Sequence, residues 1–347
     1  KINVGLHTPV SGAVSTGEGG TVTAPGGAVT LAFPPEASQT GFPVSLRLLP
    51  KTDPVLADDG RFGFLSGIPG ADIYTGRTVP ANGGTLTVQY DVPAGTQGVA
   101  VRPADIGGTT RFVICAAGVS DGTGITFGTG GKQLPGIREN GRYYLLTLKQ
   151  PAAWVTGTVL SGTAPAEKAF AETDRLPFVS LTHTENSSYT LPAPLNTETA
   201  VTANDLIHGK SVTGKVTPGT QGEVLTLNLA LSPVMPSVVS AVPADGTAGA
   251  NLTGPVTVTF SRKISPATVT ADTFALSHDS APAPGTVSVS PDGLSAVFRP
   301  SSPLEQSAVY TAVLTPGITD TFGNPLSGNR PDAVSYTHLR AHETKEE

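Results

Sequence analysis

Several short stretches have residue types and spacing that fit a known chemistry. Gly118-Val119-Ser120-Asp121-Gly122 has the G-x-S-x-G spacing of a nucleophile elbow. That chemistry needs a strand before the serine and a helix after it, so that the hydroxyl sits at a helix N-terminus. Here Thr123-Gly124-Ile125-Thr126-Phe127 follows, which is β-like and broken by glycine. The stretch therefore reads as a hairpin turn after a strand at Arg111 to Ala116. Gly128-Thr129-Gly130-Gly131-Lys132 is close to a phosphate-binding loop. That loop requires Ser or Thr after its Lys, and Gln133 stands there; the segment reads as a flexible loop. His338 and His342 have helical zinc-ligand spacing and Glu343 follows. The Glu that such motifs place between the histidines is absent. Asp320 and Asn324, flanking a turn at Gly323, offer oxygens that Ca²⁺ favours, but two ligands do not make a site. An Asx-type turn fixing a hairpin is the preferred reading.

The remaining histidines, His7, His183, His208 and His278, are scattered singly and read as surface or turn residues. Asn186-Ser187-Ser188 and Asn251-Leu252-Thr253 match the glycosylation pattern and are given no functional weight. Aromatic residues are 6% of the chain, and Trp154 is the single tryptophan. Tyr143 and Tyr144 must face opposite sides of one strand, so they cannot form a joint stacking platform for a sugar. One of them, with Trp154, is expected in core packing. No catalytic, cofactor-binding or metal-binding residue is therefore assigned, and no cofactor is expected.

The chain of 347 residues contains 41 Gly and 31 Pro, about a fifth of the total. The count of 21 basic against 27 acidic residues gives a net charge of -6 with no Lys/Arg cluster, which disfavours nucleic acid as a partner. One cysteine, Cys115, excludes an internal disulfide framework. No apolar run approaches the roughly 18 residues of a membrane span. Residue 1 is Lys and the single Met is Met235, so the chain reads as a fragment or processed piece. From Ser335 the text turns to SYTHLRAHETKEE, similar to translated sequencing-adapter read-through. Residues 335–347 are expected to be a non-native tail.

The dominant pattern is period two. It runs through Val44 to Leu48, Leu86 to Tyr90, Leu225 to Leu229 and Val256 to Phe260. Such alternation puts apolar side chains on one face of a half-buried strand and Thr, Ser or Gln on the other. Pro25-Gly26-Gly27, Asn82-Gly83-Gly84, Asp121-Gly122, Asp245-Gly246 and Asp292-Gly293 supply turns between the runs. The one helical window, Ala166 to Glu172, is too short to stand alone. The expected fold class is all-β, built as tandem β-sandwiches.

Three modules are expected: 1–150, 153–231 and 237–332, with Ser232-Pro233-Val234-Met235-Pro236 as a stiff linker before the third. The third carries Val239-Ser240-Ala241-Val242-Pro243-Ala244-Asp245-Gly246-Thr247, then Val256 to Ser261, Ile264 to Val269, Asp272-Thr273-Phe274, and the closing Ile318-Thr319-Asp320-Thr321-Phe322-Gly323-Asn324-Pro325-Leu326. Their order resembles the bacterial Ig-like domain of the S-layer SbsA type. The resemblance implies a seven-stranded sandwich serving as a spacer or display module. The second carries Val155-Thr156-Gly157-Thr158-Val159, Pro177 to Thr182, Ser188 to Pro194 and Ala200 to Ala203. It resembles a carboxypeptidase regulatory-like domain, a transthyretin-like sandwich that is accessory to the peptidase and holds none of its zinc ligands. Its turn Glu185-Asn186-Ser187-Ser188 lacks the family's Gly. The opening Gly19-Gly20-Thr21-Val22, Pro25-Gly26-Gly27 and Leu31 to Ala37 resembles the small β-sandwich module of ankyrins and netrin receptors, over the first quarter of its segment.

These readings lead to one functional expectation. The chain is a non-enzymatic structural spacer and interaction scaffold of a bacterial exported or cell-surface protein. Its partners would be the cell envelope or other extracellular proteins or glycans. The alternatives are a carbohydrate- or protein-binding adhesin module, a hydrolase using Ser120, and an accessory region of a larger secreted enzyme or toxin.

Overall fold

The computed structural model describes residues 10–15, 17–49, 51, 65–76, 80, 82–166, 168–182, 187–327 and 334–341. They form two compact units, 1–232 and 233–347, divided within the segment Ser232 to Pro236. The fold is all-β. Among the described residues, helix is limited to single 3-10 turns such as Pro25–Gly27 and Pro266–Thr268.

The alternating runs become strands with the expected face inward. Val256–Phe260 buries Val256, Val258 and Phe260 and leaves Thr257 and Thr259 half-buried. Thr85–Gln89 buries Leu86 and Val88. The run from Leu225 does not stay whole. It splits into Val224–Thr226 and Leu229–Pro233, each pairing in parallel with Ala152–Ser161. Gly157 explains the break between them: a Cβ there would stand 1.9 Å from the carbonyl oxygen of Leu227. The chain crosses so close at that point that only glycine fits. Of the window read as helical, Phe170–Thr173 is a strand with Phe170 and Ala171 buried.

The first unit is built around three adjacent strands, Gln97–Ile106, Thr109–Val119 and Gly141–Leu148. These are apolar on both faces. Ala100, Val113, Cys115, Tyr143 and Leu145 enter one core with the four-stranded sheet of Gly20–Thr23, Val29–Phe33, Thr85–Gln89 and Gly124–Phe127. Val99, Val101, Phe112, Ile114, Tyr144 and Leu146 enter a second core with Trp154, Val155, Tyr189 and Leu191. A strand covered on both sides loses its polar face and reads as a continuous apolar run. The sequence Phe112-Val113-Ile114-Cys115-Ala116-Ala117 is such a run, buried throughout.

The segments before and after Gln150 are thus joined in one sheet. Thr109–Val119 pairs in parallel with Phe178–Leu181, through Phe112 with Phe178 and Val113 with Val179. Gln97 is buried and acts as a substitute strand: its Nε2 donates to the Ala152 carbonyl at 2.8 Å, and its Oε1 accepts from the Ala152 N–H at 2.7 Å. Arg111 donates to Glu172 at 2.5 Å and lies over the Phe170 ring at 4.7 Å.

The outer face of the four-stranded sheet carries a row of threonines. Thr23, Thr30, Thr87 and Thr126 are successive cross-strand partners. The hydroxyls of Thr23 and Thr30 share a hydrogen bond, as do those of Thr87 and Thr126. No residue of these four strands is charged.

The second unit is a sandwich of two sheets. One holds Val238–Val242, Val256–Phe260, Ser295–Pro300 and Gly285–Val289. The other holds Ala248–Ala250, Val334–Ala341, Val309–Leu314, Phe274–His278 and Ala281–Pro282. Phe274 and Phe298, one from each sheet, meet in its core with ring centroids 6.0 Å apart. The backbone of the segment set aside from Ser335 enters this second sheet. Val334–Ala341 lies antiparallel to Val309–Leu314 and parallel to Ala248–Ala250. It lies between those two strands in the sheet order.

Candidate functional site

Each stretch with chemical potential is held by a turn. Ser120 ends the strand Thr109–Val119, and Gly124–Phe127 returns beside it, with Ser120 bridged to Ile125. No helix follows. Gly122 takes φ 98°, which lets the chain reverse there. The Ser120 hydroxyl is buried; it donates to the Val92 carbonyl at 2.8 Å and accepts from Gly122 N–H at 3.0 Å. Asp121 completes the turn: its Oδ1 accepts from Thr123 N–H, the Thr123 hydroxyl and Gly124 N–H. Those hydrogen bonds hold its carboxyl below the usual range. The hydroxyl is engaged by backbone and turned away from solvent, an arrangement that fixes a hairpin.

The Gly128 to Lys132 stretch is a defined turn rather than a flexible loop. Gly128 exchanges backbone hydrogen bonds with Ala117, and Lys132 N–H donates to Thr129 O. Lys132 extends across the face of Trp154, with Nζ 4.9 Å from the ring. Burial of the ammonium lowers its pKa from the usual lysine value. The lysine that a phosphate loop would aim at a ligand here covers an indole, and Trp154 itself is buried.

Asp320 forms the Asx turn. It is 1% exposed. Its Oδ1 accepts from Phe322 and Asn324 N–H, both at 2.9 Å, and its Oδ2 accepts from the Asn324 amide at 3.0 Å. Arg262 lies 3.5 Å from Oδ2 and stacks over Phe322, with 5.4 Å to the ring centroid. Asn324 donates to Asp320, so the two residues are partners and not two free oxygen ligands.

His208 joins a turn at the end of the strand Thr199–Asp205, where Asp205 accepts from Ile207 and His208 N–H and lies 2.8 Å from the His208 ring. His278 donates from Nδ1 to the Val309 carbonyl at 2.8 Å. His338 falls within the strand Val334–Ala341. His7, His183, Glu185, Asn186, His342 and Glu343 lie outside the described residues. Among the described residues, no group of three or more His, Cys, Asp or Glu could hold a metal ion. No described helix is long and apolar enough to cross a membrane.

Cys115, read in the sequence only as the single cysteine, is buried. It lies in the first core beside the Arg102–Glu139 ion pair and Tyr143, whose hydroxyl donates to the Glu139 carbonyl. Burial pushes the Cys115 thiol up to about 12 and the Tyr143 phenol upward as well. The signal for it was the apolar run around Cys115, which announces burial on both faces.

Residues 233–337 match the family described as bacterial Ig-like domain. That segment, with its two facing sheets, is a bacterial Ig-like domain. Among solved structures, the chain is similar to the N-terminal part of the bacterial S-layer protein SbsC. Identity is 22%, covering 31% of this chain and 24% of that one, with a TM-score of 0.24. It is also similar to the Bacillus anthracis TIE protein, at 11% identity over 98% of this chain and 58% of that one, with a TM-score of 0.20. The chain therefore spans about a quarter of the first and somewhat over half of the second. No curated protein matches the chain.

Proposed function

We propose that this chain is a non-enzymatic spacer and interaction scaffold of a bacterial exported or cell-surface protein. The observation that carries the reading is the use made of its polar side chains. Ser120, Asp121, Asp205 and Asp320 are each spent on turns between strands. The match of residues 233–337 to the bacterial Ig-like domain adds support, since that resemblance implies a spacer or display module. Within that family the SbsA type is the closer reading, on the residues from Val239 to Leu326. Residues 153–231 are read as a carboxypeptidase regulatory-like sandwich, supported by the pairing of Ala152–Ser161 with Ser188–Pro194. The partners are the cell envelope or other extracellular proteins or glycans.

A glycan array and a panel of generic esters test the reading. The expected result is no saturable glycan binding and no turnover. Reproducible saturable binding transfers the chain to the adhesin class. Ester turnover abolished by Ser120→Ala makes it a hydrolase.

A further inference from the structure

We infer that residues 10–232 unfold as one cooperative body, so that neither the segment up to Gln150 nor the segment from Ala153 is an independently folding module. Three strands join the two segments: Gln97–Ile106, Thr109–Val119 and Gly141–Leu148. Each gives alternate side chains to two different cores. Removing the second segment would uncover Val99, Val101, Phe112, Ile114, Tyr144 and Leu146 on one face of the central sheet. An exposed apolar face of that extent is not tolerated by an isolated soluble sandwich. The loss runs in the other direction as well: Trp154, Val155 and Leu191 would lose the sheet that covers them.

Polar contacts cross the same seam. Gln97 holds both backbone groups of Ala152, and Arg111 pairs with Glu172, whose other oxygen accepts from Asn204. Phe170 and Val179, from the second segment, belong to the first core. The coupling therefore passes through packing and hydrogen bonds together, and a break at the seam exposes both cores.

The sequence carries its own pair of probes. Cys115 is the single cysteine and Trp154 the single tryptophan of the chain. The first lies in one core and the second in the other. The Ig-like unit contains neither, so it is silent in both signals. The experiment is equilibrium unfolding of the full chain in urea. Brief thiol labelling reads exposure of Cys115, and emission reads exposure of Trp154. The expected result is one shared midpoint. Leu191→Ala, a truncation confined to the second core, lowers both midpoints by the same urea increment. Val159→Ala is the milder variant to use if Leu191→Ala does not fold. Two separated midpoints in the unsubstituted chain, or a variant that moves Trp154 emission and leaves Cys115 labelling in place, overturns the inference.

Discussion

Tyr143 and Tyr144 are neighbours in the chain and are buried in different cores. Tyr143 packs beneath the four-stranded sheet, and Tyr144 meets Phe112 edge-on at 5.8 Å in the core that holds Trp154. Successive side chains of a strand point to opposite faces, so one strand can serve two cores.

Gln97→Leu removes the two hydrogen bonds to Ala152; the buried Ala152 N–H loses its acceptor, while the carbonyl keeps the Gly222 N–H at 3.0 Å. The expected cost is about 1–3 kcal/mol. The urea midpoint of Trp154 emission measures it directly, since Ala152 is two residues from the indole.

Cys115 makes stability fall on the alkaline side. Its usual thiol value is 9.0, and the folded value is about 12. Above pH 9 the unfolded chain loses the proton while the folded chain keeps it. The folded state then binds more protons, and stability declines as pH rises from 9 towards 12. The slope approaches about 1.4 kcal/mol per pH unit. Tyr143 and Tyr189, both pushed upward by burial, add to the decline only nearer their ordinary value of about 10. Urea midpoints between pH 8 and 10 are expected to flatten in Cys115→Ala. An unchanged slope in that variant assigns the effect elsewhere.

Asp320→Ala leaves Phe322 N–H, Asn324 N–H and the Asn324 amide without their acceptor, and removes the carboxylate 3.5 Å from Arg262. The expected loss in the Ig-like unit is about 2–3 kcal/mol. Hydrogen exchange of the Val256–Phe260 amides reads it. Adding Ca²⁺ to the unsubstituted chain is expected to leave that protection unchanged, because the carboxylate oxygens are already occupied by donors.

Ser120→Ala is expected to cost about 1 kcal/mol through the lost bond to Val92. Background turnover of an activated ester is expected to stay the same, measured against the unsubstituted chain.

The strands and their faces were legible where one face meets water. Val256, Val258 and Phe260 are buried as their alternation with Thr requires, and Tyr143 and Tyr144 diverge as adjacent strand residues must. The turns at Ser120 and Asp320 were legible from Gly, Asp and Asn chemistry. What escaped was the joining of the segments on either side of Gln150. Phe112 meets Phe178 through a parallel pairing between distant parts of the chain, and local periodicity carries no record of distant partners. The run from Phe112 to Ala117 did carry a trace of it, because continuous apolarity marks a strand with no solvent face. The lysine over Trp154 escaped for the same reason: a glycine-rich loop announces a turn, not what its next side chain will cover.

The threonine row from Thr23 to Thr126 has a consequence for how this protein meets its surroundings. Its sheet is wetted by hydroxyl groups that neither titrate at ordinary pH nor attract counterions. Hydration of that wall is therefore indifferent to acidity and to dissolved salt, which screens only charges. A brackish or acid medium would alter the molecule elsewhere and leave that side as it was.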